Sequence, residues 1–278
     1  MVEAHQHVQV DEGVVYGRGG GRELRGDVYT PPGGRPQGAP GVVIVHGGGW
    51  REGDRSQLRG YGLRLARQGY VCAAIEYRLL GEAPWPAQIE DVKAAIRWMR
   101  ANAERLGVDP NRIAITGNSA GGHLSLLAAG TPGLAEFEGS GGHEGVSSAV
   151  AASIAFYPVT SFVDRDGRLH STYSFLFGDE KTPERARAAS PTSHVRAGFP
   201  PALLIHGNRD EVVPPAQSTG CYEALRAAGV PAELHVFADQ PHGFDADPRF
   251  ARHCADVMAL FLERYVRAGE PAPTAGVR

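Results

Sequence analysis

The chain has few of the residues that a disulfide-bonded or thiolate-metal protein needs. Its 278 residues include only three cysteines, Cys72, Cys221 and Cys254. Three thiols so widely spaced are too few for a disulfide framework or a thiolate metal site. The sequence therefore predicts a reduced protein with no structural metal.

Long apolar runs and a strong excess of charge are also missing. No apolar stretch approaches the roughly 20 residues that a bilayer-spanning helix needs. The formal net charge is −3 at pH 7, which gives no reason to expect nucleic acid or an anionic membrane as a partner. The segment from Met1 to Val10 is polar and lacks the basic-then-apolar pattern of a signal peptide. We therefore expect a cytoplasmic protein with no membrane span.

The remaining composition is that of a globular protein. Apolar residues make up 42% and charged residues 21% of the chain, and this length can bury the core of one large α/β domain. Short apolar runs typical of strands alternate with amphipathic helices, and the first two strands form a hairpin. This alternation predicts an eight-stranded, mostly parallel sheet with helices on both faces.

We expect a single domain over residues 1–278, because no linker, repeat or low-complexity block divides it. Residues 158–200 follow a looser pattern, which favours a small lid or wall inserted into that domain. The tail from Gly269 is expected to fray.

The pentapeptide Gly117–Gly121 (GNSAG) fits the pattern G-x-S-x-G. A β-branched run (112–116) precedes it, and a run of small and apolar residues typical of a helix (122–129) follows. A strand, a sharp glycine-flanked turn and a helix form the nucleophile elbow of α/β-hydrolases, with Ser119 as the nucleophile. The alternative is an ordinary glycine-rich turn, since the five-residue pattern alone is common.

A serine hydroxyl needs a base and an orienting carboxylate to attack a substrate at neutral pH. In this fold the partners follow in the chain order Ser, Asp or Glu, His, just beyond strand ends. Asp210 follows the predicted strand 202–206, and His242 follows the predicted strand 233–237. Two alternatives stay open at this point: Glu211 competes with Asp210 as the carboxylate, and a loop histidine is often only a solvated side chain.

The run His46–Gly49 (HGGG) follows another buried strand. Such loops supply backbone N–H groups to the oxyanion of a tetrahedral intermediate, and glycines let the chain adopt the necessary dihedral angles. We expect the amides of Gly48, Gly49 and Ala120 to form this oxyanion hole. A phosphate-binding loop is the alternative, but neither Walker nor dinucleotide-binding spacing is present.

Longer stretches together resemble one known family, the α/β-hydrolase esterases related to hormone-sensitive lipase. The closest branch is that of the feruloyl and acetyl-xylan esterases (BD-FAE-like). The matching segments are HGGGW (46–50), YRL (77–79), PWPAQIEDVKAAIRWMRANA (84–103), GNSAGGH (117–123), PALLIHGNRDEVVP (201–214) and HGF (242–244). The resemblance runs from about Leu24 to Tyr265.

This resemblance implies the same triad of Ser119, Asp210 and His242. Asn118 departs from the family pattern, which usually has Asp or Glu before the nucleophile. Asn keeps hydrogen-bonding capacity but carries no charge. The long N-terminal cap of the lipase-like branch is also missing from the pattern, because only a short hairpin precedes the HGGG strand.

Trp50 and Tyr157 are expected to border the substrate from strand ends. Aromatic residues between 160 and 177 would add a wall over the site, unless they simply fill core beneath a long loop. The resulting prediction is a serine carboxylesterase that hydrolyses small or short-acyl esters through an acyl-enzyme, with no metal or cofactor. Acetylated or feruloylated sugars are further substrates that the resemblance implies. The sequence leaves homo-oligomerisation open.

Two alternative functions remain. An arylformamidase hydrolyses N-formylkynurenine-type amides with a similar loop and triad. A non-catalytic hydrolase-fold protein would only bind its ligand, and fold alone does not distinguish these classes.

Overall fold

The computed structural model describes residues 7–35 and 37–268, so the tail predicted to fray from Gly269 lies outside the described residues. Within these ranges eight strands form one sheet, in the order β1-β2-β4-β3-β5-β6-β7-β8. The strands are β1 (Gln9–Gly19), β2 (Arg22–Thr30), β3 (Ala39–Val45), β4 (Val71–Ile75), β5 (Val108–Asn118), β6 (Ala152–Phe156), β7 (Ala202–Gly207) and β8 (Ala232–Phe237).

The sheet is antiparallel only at its first edge. β1 pairs with β2 as a hairpin, and β2 pairs antiparallel with β4. The pairs from β4 through β3, β5, β6 and β7 to β8 are all parallel. The predicted eight-stranded, mostly parallel sheet is confirmed.

Helices cover both faces of the sheet. They are α1 (Arg59–Arg67), α2 (Ala87–Ala101), α3 (Ala103–Leu106), α4 (Ala120–Gly130), α5 (Ala135–Glu138), α6 (Pro183–Ala189), α7 (Ala216–Ala227) and α8 (Pro248–Leu262). Apolar residues recur at helical spacing between Pro86 and Gly107, a pattern that predicts one helix, but the structure divides this segment at Asn102 into α2 and α3. Gly107 ends α3 with a φ of 73°, a left-handed conformation that favours glycine.

The central strands are apolar along their whole length because both of their faces are buried. In β3, Val43 and Val45 face one core cluster with α2, whereas Val42 and Ile44 face a second cluster with α1 and α8. This alternation follows from the two-residue period of a strand. The sheet is therefore a rigid platform whose carboxyl edge carries the loops after β3, β5, β7 and β8.

The segment 158–200 packs against the first core cluster. It contains α6 and two short 3₁₀ turns, Ser174–Phe177 and Pro191–His194. Phe162, Tyr173 and Phe177 in this segment are buried, so these aromatic residues fill core beneath the loop. Whether the segment acts as a lid stays a prediction. No helix in the described ranges is long and apolar enough to cross a membrane.

The turn between β5 and α4 depends on the absence of two side chains. A Cβ at Gly121 would lie 2.1 Å from the Val45 oxygen, and one at Gly117 would lie 2.6 Å from the same oxygen. Both distances are shorter than any real Cβ contact. Glycine at these positions lets the N-terminus of α4 approach the end of β3.

We expect Gly121→Ala to destabilise the protein, because the added methyl group must displace the backbone of β3. Overpacking of this kind costs about 1–3 kcal/mol, which corresponds to a fall in Tm of roughly 2–4 °C per kcal/mol. The control is Gly60→Ala in α1, where a Cβ would meet no atom within 4 Å and alanine favours the helix. Thermal unfolding curves of both variants test this difference, and equal Tm values would contradict it.

Candidate active site

Ser119 sits between β5 and α4 in a backbone conformation that few non-glycine residues adopt. Its φ is 53° and its ψ is −117°. Its N–H donates to the Phe156 carbonyl at 2.8 Å, and its carbonyl accepts from the His123 N–H at 3.0 Å. These bonds tie the strained residue to β6 and to the first turn of α4. Backbone strain held in this way is concentrated at functional sites.

Three of the side chains singled out in the sequence form one hydrogen-bonded chain. The Oγ atom of Ser119 lies 2.9 Å from His242 Nε2, and His242 Nδ1 lies 2.6 Å from Asp210 Oδ2. Because a carboxylate only accepts, Nδ1 carries the proton of the neutral imidazole, and Nε2 accepts from the serine hydroxyl. The three residues come from the loops after β5, β7 and β8. The arrangement can move a proton from a serine hydroxyl to an imidazole.

Asp210 is completely enclosed at its side chain. Its Oδ1 accepts from the Val212 and Val213 amides at 2.9 and 2.8 Å, and its Oδ2 lies 3.2 Å from His206 Nε2. Burial alone would raise the pKa of this carboxyl, but hydrogen bonds from His206, His242 and Val213 outweigh it and hold the pKa well below its usual range. Asp210 is therefore ionised at neutral pH.

The competing carboxylates lie elsewhere. Glu211 is exposed, and Asp239 is an exposed partner of Arg209 at 3.3 Å. Asp210, not Glu211, contacts His242. His206, the last residue but one of β7, bonds the Ser218 hydroxyl at 2.7 Å and the Val213 carbonyl at 2.9 Å while it contacts Asp210. Its support of the carboxylate could not be inferred from the sequence.

The HGGG loop presents two backbone amides without protein acceptors. Gly48 and Gly49 have φ angles of 104° and 58°, and within the described ranges their N–H groups donate to no protein atom. The Gly48 carbonyl accepts from the amides of Arg51 and Glu52 at 3.0 and 3.1 Å, which closes the turn. Ala120 is the first residue of α4, so its N–H has no partner within that helix. These are the three amides expected to bind an oxyanion.

Two polar side chains that the sequence analysis missed hold this loop. Gln57 Oε1 accepts from the Gly47 amide at 3.0 Å. Arg55 donates to Asp27 Oδ1 at 2.8 Å and to Glu76 Oε2 at 2.9 Å, joining the loop to β2 and to the end of β4. The sequence held no signal for these contacts, because the partners are 10 to 28 positions apart.

Trp50 does not occupy the position expected for it. Its side chain is 2% exposed, and its indole N–H donates to His123 Nδ1 at 3.2 Å. Burial lowers the pKa of His123 to about 4, so this imidazole is neutral at pH 7 and can accept that hydrogen bond. The indole packs against Phe162 and Phe175. Trp50 thus packs into the core beneath the HGGG loop, and its buried side chain does not favour the predicted contact with the substrate.

Tyr157 lies beside His242 and is almost fully buried, so its expected contact with the substrate stays a prediction. Its ring packs against the imidazole of His242 with centroids 4.5 Å apart. Its hydroxyl donates to Asp245 Oδ1 and accepts from Asn118 Nδ2 at 3.4 Å. Asp245 Oδ2 also accepts from the Tyr61 hydroxyl at 2.9 Å. Asp245 is only three positions from His242, too near in sequence to be expected as its orienter, and no pattern in the sequence indicates this network.

A cleft of about 400 Å³ borders this network on the α1 side of the sheet. Its lining contains both apolar groups and the polar groups described above. The lining residues are Gln57, Leu58, Gly60, Tyr61, Arg64, Asn118, Tyr157, Gly243, Asp245, Ala246, Pro248 and Ala251. Across the described ranges, no group of three histidine, cysteine, aspartate or glutamate side chains is arranged to hold a metal ion.

Sequence relatives of this chain are esterases. Residues 26–225 match the BD-FAE family model. Esterase LipC of Mycobacterium tuberculosis is 37% identical over 88% of this chain and 61% of its own length. The probable carboxylic ester hydrolase LipM of the same organism is 37% identical over 86% of this chain and 58% of its own length. The chain therefore spans about three fifths of the length of the first curated relatives that it matches.

Solved structures agree with this relationship. The butyrate-bound thermophilic esterase Est2 of Thermogutta terrifontis superposes with a TM-score of 0.82 at 30% identity, covering 96% of each chain. A truncated carbohydrate esterase from gut microbiota gives a TM-score of 0.80 at 27% identity, covering 94% of this chain and 99% of that one. With the expected α/β-hydrolase fold confirmed, the chain belongs to the BD-FAE family of esterase-related α/β-hydrolases.

Proposed function

We propose that this protein is a serine carboxylesterase that hydrolyses small or short-acyl carboxylic esters through an acyl-enzyme. The observation that carries the proposal is the hydrogen-bonded chain from Ser119 through His242 to Asp210, next to the free amides of Gly48 and Gly49. The esterase names of the relatives support it. The butyrate- and propionate-bound forms of the Thermogutta esterase support a short acyl group.

In this proposal Ser119 Oγ attacks the ester carbonyl while its proton passes to His242 Nε2. The carbonyl oxygen becomes an oxyanion, which the amides of Gly48, Gly49 and Ala120 bind. His242 then gives the proton to the alcohol oxygen as the C–O bond breaks, leaving an acyl-serine. Water attacks the acyl-serine by the same route, with its proton passing to His242 and then to Ser119, and the carboxylic acid leaves.

Asp210 would hold the imidazole in the tautomer that accepts from Ser119 and would stabilise the imidazolium formed during attack. The oxyanion amides are backbone groups in fixed positions, so they need no reorganisation as charge develops. Each such donor contributes about 3–4 kcal/mol to the transition state in serine hydrolases. A cytoplasmic location, homo-oligomerisation and the use of sugar esters stay predictions.

Two alternative functions make different predictions for Ser119 and for the substrate. An arylformamidase would use the same three residues on an N-formyl amide. A binding protein would leave Ser119 unreactive despite its geometry.

Ser119→Ala is expected to abolish turnover of p-nitrophenyl acetate, with kcat reduced by about 10⁴-fold or more because no acyl-enzyme can form. A fluorophosphonate probe should label the wild-type protein and not this variant. The control is Ser171→Ala, at an exposed serine, which should be labelled and active. Failure of the probe to label folded wild-type protein would favour the binding alternative.

Substrate profiling of the wild-type protein separates the esterase from the formamidase. We expect kcat/KM to fall from p-nitrophenyl acetate and butyrate to octanoate, and to be lowest for N-formylkynurenine. A higher kcat/KM for N-formylkynurenine than for every ester would contradict the ester proposal in favour of the amide one.

Asp210→Asn is expected to lower kcat by about 10³–10⁴-fold, because the amide no longer fixes the imidazole tautomer. It should also destabilise the protein at pH 7 by about 1–3 kcal/mol, since an ionised hydrogen-bond acceptor is lost. The folded pKa of Asp210 lies below its unfolded value of about 4. The carboxylate therefore stabilises the fold above that pH, and this contribution is lost as the pH falls towards the folded pKa.

Urea denaturation of both proteins at pH 7, 5 and 3.5 measures this effect. The difference in unfolding free energy should be largest at pH 7 and should narrow at pH 3.5. A difference independent of pH would show that the ionised form of Asp210 contributes nothing particular to stability.

A further inference from the structure

The cleft on the α1 side shares its walls with the catalytic groups. Asn118 directly precedes Ser119, and Gly243 directly follows His242. Tyr157 lines the cleft, and its ring also lies against the imidazole of His242, with centroids 4.5 Å apart. In the proposed reaction His242 protonates the alcohol as it leaves, so the alcohol must be next to this residue. We therefore expect a group attached to that alcohol to lie in a cleft lined by the neighbours of Ser119 and His242.

The carboxylate of Asp245 is a hydrogen-bond acceptor in the lining of the cleft. The residue is 8% exposed, and its two oxygens accept from the hydroxyls of Tyr61 and Tyr157. It forms no ion pair in the part of the chain that the structure describes. A carboxylate offers about four lone-pair sites, so two tyrosine donors leave capacity for a further donor. An ionised group enclosed in protein without a counter-charge is costly unless its hydrogen bonds are complete.

Two other polar residues that line the cleft help to decide whether it favours a neutral or a charged ligand. Asn118 is 9% exposed, and its side-chain oxygen has no partner among the described residues. Arg64 lines the cleft, and no ion pair of its guanidinium occurs within the described ranges. Arg64 and Asp245 carry opposite charges and line the same cleft, so this pair adds no net charge to the lining. This balance favours a neutral donor such as a hydroxyl over an ammonium group.

We propose that this cleft receives the leaving alcohol of the ester, and that Asp245 selects alcohols carrying a second hydrogen-bond donor. The inference rests on the proposed esterase function and adds a specificity-determining residue to it. A second cleft of about 490 Å³, with Arg51, Leu80 and Phe175 in its lining, is the competing site for the alcohol. The two clefts are separable by substitution because each is lined by a glycine with free space at its Cβ position.

The first experiment compares acetates with alcohols of matched size. In 2-hydroxyethyl acetate a hydroxyl replaces the terminal methyl group of propyl acetate, and 2-(dimethylammonio)ethyl acetate carries an ammonium donor in place of the carbon branch of 3-methylbutyl acetate. We expect the wild-type kcat/KM to be roughly five- to twentyfold higher for the hydroxyethyl than for the propyl ester. This is the effect of one hydrogen bond from a substrate hydroxyl to a buried acceptor. The increase in kcat/KM of the ammonium ester over 3-methylbutyl acetate should be smaller, because the positive charge of Arg64 repels a cation.

Asp245→Asn keeps the size of the side chain and removes its charge. We expect the hydroxyethyl-to-propyl ratio of kcat/KM to fall at least about threefold in this variant. If Asp245 has only a structural role, kcat/KM for both esters falls together and the ratio is unchanged, which overturns the selection by Asp245. A wild-type ratio near one would also overturn it.

The second experiment fills each cleft in turn. A Cβ at Gly60 or at Gly81 would meet no atom within 4 Å; Gly60 lines the proposed cleft and Gly81 the competing one. We expect Gly60→Phe to lower the kcat/KM ratio of cyclohexyl to methyl acetate at least about fivefold. The ratio of methyl butyrate to methyl acetate should not change. The matched control, Gly81→Phe, should leave the cyclohexyl-to-methyl ratio as in the wild type.

A changed acyl-length ratio in Gly60→Phe, with the alcohol ratio unaffected, would assign the cleft to the acyl chain and overturn the proposal. An alcohol effect confined to Gly81→Phe would assign the alcohol to the competing cleft. Fluorophosphonate labelling of Ser119 accompanies each assay. Its absence in the wild-type protein contradicts the esterase function itself, whereas labelled variants with unchanged alcohol ratios contradict only this inference.

Discussion

The close approach of α4 to the end of β3 is the constraint on which the whole site depends. Gly121 lies so near the carbonyls of Val45 and His46 that no side chain fits between them. This contact brings the nucleophile elbow beside the HGGG loop, so the hydroxyl of Ser119 and the amides of Gly48 and Gly49 belong to one surface. These amides are backbone groups, so the packing of two backbone segments, with Gln57 bonded to the neighbouring Gly47 amide, determines where they are. A change in that packing would separate the hydroxyl of Ser119 from the amides of Gly48 and Gly49.

The parallel sheet extends this arrangement to the other end of the triad. Ser119 and His242 are 123 positions apart in sequence, yet they follow β5 and β8 at the same edge. Parallel strands all end there, so residues distant in the chain meet without a long loop. Two polar side chains hold site residues at this edge: His206 contacts the carboxylate of Asp210, and Gln57 accepts from the Gly47 amide. Most of the machinery is therefore held by elements that contribute nothing to the chemistry.

The sequence predicted those parts of the fold and site that leave a local pattern. Apolar strands and the glycines of the elbow each depend on neighbouring positions, and these patterns indicated the sheet. Ser119 and His242 follow two such strands, so their places after β5 and β8 could be predicted as well. The division of a helix at Asn102 and the burial of Trp50 had no such pattern. Trp50 follows a glycine loop near the site, but the direction of its ring is decided by His123 and Phe162, which are far away in sequence. Contacts of that kind are tertiary, and a single sequence carries no sign of them.

The two buried carboxylates near the base illustrate how hydrogen-bond donors determine what a charge does. Asp210 accepts from histidines and backbone amides, and its oxygen contacts the imidazole that gains a proton during the proposed reaction. Asp245 accepts from the hydroxyls of Tyr61 and Tyr157, and the ring of Tyr157 packs against the same imidazole. Asn118 contributes no charge directly before the nucleophile, so the negative charge on this side is carried by Asp245, beyond the tyrosine. In the proposed reaction this carboxylate would act on a group in the cleft, whereas a carboxylate in contact with the oxyanion would repel it and destabilise the transition state.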